Sequence, residues 1–424
     1  LDRVNTFGTA FLGLTVACAQ CHDHKFDPIS QKDYYQLYAF FNNSVDDGHG
    51  DKKAQSTGLL FFDSQGAPDD KLEADLATSR EQLAAHFELH GIAVEAWRQE
   101  LPREKRGAFA SSSLRAALDV EWKRQSFNQR RAVFAVARPD DEKFKELNAR
   151  YSDLTRRESR AVSTLVMAEL PQPRESYIFI KGDFTRRGPD VTPGTPAALP
   201  PLRATPPNRL DLARWTVDPA NPLFARVQVN RIWQQYFGRG LVETDNDFGS
   251  QGTPPSHPAL LDWLATELVR RGWSQKALHR LIVTSATYRQ SSHARPDLNL
   301  ADPLNRLLAR QGRLRLDAEV VRDVALAASG LLAPKLGGPP VFPPQPDGVM
   351  NLGQVRREWQ PSTGESRHRR GLYTHFWRAT PHPALAVFDA ADGFSSCTRR
   401  LRSNTPLQAL TLLNDQQFFE FAGA

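Results

Sequence analysis

Two thiols and an imidazole fall within five residues, Cys18-Ala19-Gln20-Cys21-His22. For these groups to act together, the local backbone has few choices. The run reads C-x-x-C-H, the spacing of a c-type haem attachment site. Two thiols have to add to two vinyl groups of one porphyrin, and the imidazole has to reach the iron from the same side. On a helix, positions i, i+3 and i+4 share a face. Phe7, Phe11, Leu14, Cys18 and Cys21 step by fours and threes, so the pattern predicts one amphipathic helix running into the motif. With 3 Cys and 11 His in 424 residues, composition alone gives roughly 0.0006 such runs by accident.

Two other chemistries fit the same residues. Zinc could take Cys18, Cys21 and either His22 or His24. Structural zinc usually draws ligands from two separated segments, however, and the third cysteine, Cys397, is far along the chain. A redox dithiol or disulfide is the second alternative, with His22 tuning a thiolate; the βαβ pattern that normally accompanies it is not evident. The reading adopted is covalent haem c. Cys18 and Cys21 anchor the porphyrin, His22 is the proximal iron ligand, and His24 lines the cofactor pocket or bonds a propionate. Met167 and Met350 are the only methionines. Met350 lies in a Pro-Asp-Gly loop able to cover a pocket and is the candidate distal ligand, while Met167 is expected in an apolar seam. His49, His375 and His382 are further distal candidates.

Length implies more than one domain. The net charge of +6 is spread over 424 residues, too dilute on its own to argue for nucleic acid. No apolar run approaches the roughly 18 residues that span a bilayer. Three cysteines exclude a disulfide framework. Haem is attached outside the cytoplasm, so an extracytoplasmic or periplasmic location is expected, with an export signal ahead of Leu1.

Periodicity makes the fold class mainly α: a helical multidomain chain with a helical hairpin insert, one short β segment and long Pro-rich loops. Residues 1–50 carry the motif. Ser30 opens a short aromatic helix through Tyr34, Tyr35, Leu37, Tyr38, Phe40 and Phe41, readable as a haem-pocket wall or as plain core. Residues 51–175 form a connecting region: a loop over 51–70, then charged helices over 71–98 and 139–170 that pair as a hairpin. In the stretch 176–207, a strand near 175–183 leads into a Pro-rich linker or wrapping segment, where the main domain boundary is placed. Residues 208–424 read as helices opened at Asn221-Pro222, Ser256-His257-Pro258, Ser274, Asp317 and Thr405-Pro406, with Gly238 and Gly272 as stops.

At this point the residues bring a family into view. Thr6 to Phe41, with Cys-Ala-Gln-Cys-His-Asp-His-Lys-Phe-Asp-Pro-Ile and Lys32-Asp33-Tyr34-Tyr35, resembles the end of a planctomycete-type extracytoplasmic cytochrome c domain. Asn221 to Trp233, Pro255 to Pro258 and Arg402 to Leu410 resemble its usual fused partner, a helical domain of unknown function. The resemblance implies haem c at Cys18, Cys21 and His22 and an exported protein, and it assigns the helical domain no reaction.

The remaining candidates have bland readings. Arg356, Arg357, Arg367 to Arg370, Arg399, Arg400 and Arg402 could meet propionates or an acidic redox partner, or simply pair internally. Glu243, Asp245 and Asp247 form either an acidic metal loop or a structural turn; the spacing of a calcium loop is missing. Cys397 is expected to be a small buried residue. The function expected is electron transfer to a redox partner protein, with the helical domain as a docking or substrate platform. A haem-dependent enzyme and a zinc-clipped binding protein are the alternatives.

Overall fold

The computed structural model describes every residue except 45–57, 63–68, 110, 299, 354–356 and 395. The chain is mainly α, as its periodicity implies, and divides into two compact units. One combines residues 1–42 with 174–424; the other is residues 43–173. The Pro-rich segment lies inside the first unit. His49 and Arg356 fall outside the described residues.

In the first unit, α1 (Asp2–Phe7) runs into a single π-turn over Gly8–Leu12 and stops at Gly13, whose φ is +61°. A 3-10 turn over Val16–Gln20 follows. The expected continuous helix is thus broken ahead of the motif. Packing is the reason: a Cβ on Gly13 would lie 2.7 Å from Val227 and 2.8 Å from Phe248. The backbone must approach these side chains, and a left-handed glycine permits it. α2 (Gln31–Asn42) begins where expected, with Ser30 Oγ accepting from the Asp33 N–H and Asp33 Oδ2 accepting from the Ser30 N–H. Its aromatic residues are core. Tyr34, Tyr35, Leu37 and Phe40 are buried with Val4, Leu12, Val16 and Ala19.

The second unit contains α3 (Asp70–Glu100), α4 (Arg103–Gly107), α5 (Ser112–Leu118), α6 (Phe127–Ala137) and α7 (Glu142–Arg160). Two corrections apply here. Gly58–Phe62, placed in a loop by its polar surroundings, is strand β1, and Val162–Val166, assigned to a helix, is β2. They pair antiparallel with Gly58 opposite Val166 and Phe62 opposite Val162. α7 therefore ends at Arg160, before the β-branched residues Val162, Thr164 and Val166, which favour strand. The hairpin is also more elaborate than two helices. α3 packs on both α6 and α7 around Phe87, Phe134, Phe144 and Trp122.

Returning to the first unit, β3 (Ser176–Phe179) pairs antiparallel with β4 (Arg187–Val191). The Pro-rich chain then wraps α2. The Gly194 N–H donates to the Gln36 carbonyl and the Ala197 N–H to Asp33 Oδ1. α8 (Arg209–Thr216) follows, with Trp215 Nε1 donating to the Pro200 carbonyl. α9 (Phe224–Phe237), α10 (Pro258–Arg270), α11 (Gln275–Val283) and α12 (Ala286–Arg289) share a core of Val229, Trp233, Leu264, Leu268 and Ile282. α13 (Ala318–Ala328), α14 (Pro383–Val387), α15 (Pro406–Asn414) and α16 (Gln416–Gly423) complete the chain. Leu326, Leu385, Phe388, Phe418 and Phe421 bury together there.

Candidate functional site

The Cys18–His22 segment leaves the 3-10 turn on the surface, and all three reactive side chains are exposed. What fixes them is mostly backbone. The Gln20 carbonyl accepts from Tyr35 Oη at 3.0 Å and from Gln31 Nε2 at 3.0 Å. Tyr35 keeps its proton: burial, reinforced by the neighbouring Cys21 thiol, pushes its pKa up to about 12. The turn at Lys181-Gly182 presses on the second thiol. A Cβ on Gly182, where φ is +76°, would come within 2.5 Å of Cys21 Sγ. His22 Nδ1 lies 2.8 Å from the Asp23 carbonyl. A carbonyl only accepts, so Nδ1 carries the proton and the exposed Nε2 presents its lone pair.

His24 faces the other way. It is 9% exposed, and its Nδ1 accepts from the Asp27 N–H at 2.9 Å. Its own N–H donates to the Ile29 carbonyl at 2.8 Å, closing the 24–29 loop. His24 is thus a loop-forming residue by its contacts. Asp23 Oδ1 accepts from the Gln31 N–H at 2.7 Å, tying the motif to the start of α2.

The helical half supplies the clamp that holds this loop. Asp27 is buried, and its Oδ1 accepts from the Ser250 N–H at 2.7 Å. Ser250 Oγ donates to the Phe26 carbonyl at 3.2 Å, and the Phe248 N–H donates to the Gly13 carbonyl at 2.7 Å. Arg231 on α9 reaches back to the carbonyls of Thr9 and Ala10. The acidic run at 243–249 is therefore a structural turn. Thr253 Oγ1 accepts from the N–H groups of Glu243 and Thr244, and Asp247 Oδ1 accepts from the Gly249 N–H. Sequence reasoning missed Asp27, Gly182 and Ser250. The only signals were a Gly-rich turn after an acidic run and a lone Lys-Gly pair at a strand end.

The other candidates sit apart from the motif's own contacts. Met350 is buried and its sulfur accepts from the Thr380 hydroxyl at 3.9 Å, a packing environment. The His375 ring stacks on Phe342 at 4.9 Å and stands edge-on to Trp377 at 4.3 Å. His382 is buried with Nε2 donating to the Pro344 carbonyl. Met167 lies beyond β2 and is exposed, and Cys397 is exposed where a buried residue was expected. Four of the arginines pair internally: Arg367, with His368, holds Glu420, Arg370 holds Asp323, Arg400 holds Glu319, and Arg402 meets Asp317.

Residues 208–424 match the family described as Protein of unknown function (DUF1553), and residues 1–46 match a second, described as Protein of unknown function (DUF1549). Neither description carries an activity. No curated protein and no solved structure matches the chain. Among the described residues no helix is long and apolar enough to cross a membrane.

Proposed function

Since the chain belongs to the family described as Protein of unknown function (DUF1553), we propose its function from its own residues: it carries covalent haem c on Cys18 and Cys21, with His22 as proximal ligand, and passes electrons to a redox partner protein outside the cytoplasm. The observation that carries this reading is His22. Its Nδ1–H is spent on the Asp23 carbonyl, which leaves Nε2 as the free ligand atom. A backbone hydrogen bond that sets the tautomer in this way is the usual support of a metal-bound imidazole.

The donor set suits the group. Two exposed thiols flank a short segment whose central carbonyl is held by Tyr35 and Gln31, so the segment is positioned while its sulfur atoms stay reachable. Zinc is the poorer fit. Nitrogen and thiolate ligands around a tetrahedral zinc stand about 3.4–3.8 Å apart. Among the described residues, no three ligand atoms of Cys18, Cys21, His22 and His24 lie within 4.8 Å of one another. Thiols destined for two separate vinyl groups need no such convergence. When bound, haem c supplies reversible one-electron exchange at its iron. The chain's part is to anchor the ring through two thiols, orient one imidazole and, through the Ser250–Asp27 clamp, hold the loop in place.

The test is a reduced pyridine haemochrome spectrum of the chain produced with haem c maturation machinery. A c-type spectrum that survives denaturation and disappears in Cys18→Ala/Cys21→Ala is expected. A haem-free protein, or one holding stoichiometric zinc at these cysteines, overturns the proposal.

A further inference from the structure

A second cluster of ligand-type side chains lies in the 43–173 unit, far in sequence from the cysteine motif. His86 and His90 are four residues apart on α3, so both rings leave one face of the helix. Asp141, the N-cap of α7, meets them. His86 Nε2 is 3.1 Å from Asp141 Oδ1, and His90 Nε2 is 3.9 Å from Asp141 Oδ2. The three ligand atoms lie within 4.8 Å of one another, the only such trio among the described residues.

We propose that His86, His90 and Asp141 bind a divalent transition-metal cation of the zinc class. The spacing argues for it. Nitrogen and oxygen ligands at about 2.1 Å around a tetrahedral ion stand about 3.4 Å apart, and the two observed separations bracket that value. Hydrogen bonding explains only half the arrangement, because 3.9 Å is too long for a hydrogen bond. His90 is therefore brought to the carboxylate without bonding to it. Two imidazoles with one carboxylate select zinc, cobalt or nickel over magnesium and calcium, which prefer oxygen alone.

The surroundings are those of a built site. The side chains of His86 and Asp141 are 10% and 8% exposed, and that of His90 is 24% exposed, leaving one side open to solvent. Phe134 backs both imidazoles, with ring centres 5.4 Å and 5.9 Å away. The Phe144 N–H donates to Asp141 Oδ1 at 2.8 Å and fixes the carboxylate, as outer-shell partners of metal ligands do. Three protein ligands with an open position is the pattern of zinc sites that keep a water. One neighbour opposes the ion: Arg138 Nε lies 3.2 Å from Asp141 Oδ2. Its guanidinium competes for that oxygen and repels a cation.

The experiment is cobalt and zinc titration of the full chain carrying Cys18→Ser/Cys21→Ser, so that the cysteine motif contributes no thiolate. One equivalent of Co²⁺ is expected, with ligand-field bands and no sulfur charge-transfer band, displaced by Zn²⁺. Because ablating even outer-shell partners costs 10–100-fold in affinity, His90→Gln is expected to weaken binding about 100-fold or more. His90 makes no short hydrogen bond to Asp141, so this variant should keep the far-UV spectrum of its parent. Arg138→Gln is expected to tighten binding by freeing Asp141 Oδ2. Failure of the Cys18→Ser/Cys21→Ser chain to bind Co²⁺, or equal affinity in His90→Gln, overturns the proposal. Neither result bears on haem attachment.

Discussion

At the scale of single residues, the cysteine motif depends on atoms that are not in it. Gly182 has a left-handed backbone and no room for a methyl group against Cys21 Sγ. Gly182→Ala should therefore destabilise the first unit by about 1–3 kcal/mol, the usual range for a non-glycine residue forced into such a conformation. Chemical denaturation measures this, and an unchanged midpoint would mean that the 181–182 turn yields. The motif stood out by spacing alone, because Cys, Cys and His at i, i+3 and i+4 are rare by composition. Its support was not. Asp27, Ser250 and Gly182 are common residues whose roles arise from contacts across more than 150 positions, and no local pattern announces them. The pair His86 and His90 was visible as H-x-x-x-H, but Asp141 joins it only through the packing of α3 on α7.

Among elements, caps and stops were the most readable features. Ser274, Gly238 and Gly272 stand where the helices begin and end, because capping is a local hydrogen-bonding problem, whereas α9 starts two residues after Asn221-Pro222, at Phe224. Which face turns inward was less readable. Leu407, Leu410 and Leu413 step along α15 at helical spacing, yet they are 62%, 52% and 71% exposed. α15 is held instead by Gln408, whose Nε2 donates to the Val387 carbonyl, while the buried apolar anchors Phe418 and Phe421 lie on α16. Leu413→Gln should thus change stability by less than about 0.5 kcal/mol, whereas Phe418→Ala should cost about 3–5 kcal/mol; equilibrium unfolding of the two variants compares them. α16 also carries an acid-sensitive contact. Glu420 accepts hydrogen bonds from Arg367 and His368, chiefly Arg367, and its pKa falls to about 2. In the unfolded chain a glutamate titrates near about 4.3. The folded state binds fewer protons in between, so this contribution is complete above the unfolded value and is lost as pH falls toward the folded one. Calorimetry should show the wild type melting above Glu420→Gln at pH 6, with the gap closing between about pH 4.3 and 2.

For the molecule as a whole, the telling fact is that one compact unit is interrupted by another. The interruption begins and ends at one spot: Arg174 Nη1 donates to the Asn42 carbonyl, and Asn42 Nδ2 donates to the Glu175 carbonyl. Within the inserted unit, Ser44 and Glu169 form an isolated antiparallel backbone bridge. Paired ends and separate cores are the conditions under which domain insertion is tolerated. Replacing residues 43–173 with a short Gly/Ser linker should leave the remainder folded. The excised 43–173 segment should melt cooperatively on its own, which circular dichroism would record. The charged 71–170 stretch hinted at this insertion, while the prolines read equally as a linker or a wrapping segment, because proline density marks a chain that cannot be helical. The clamp on the cysteine loop adds a matter of timing. Ser250 and Asp27 are 223 positions apart. At about 5–20 residues per second, the chain carrying Cys18 and Cys21 emerges roughly 10–45 s before the turn that secures it, so the cysteine loop spends that interval unclamped.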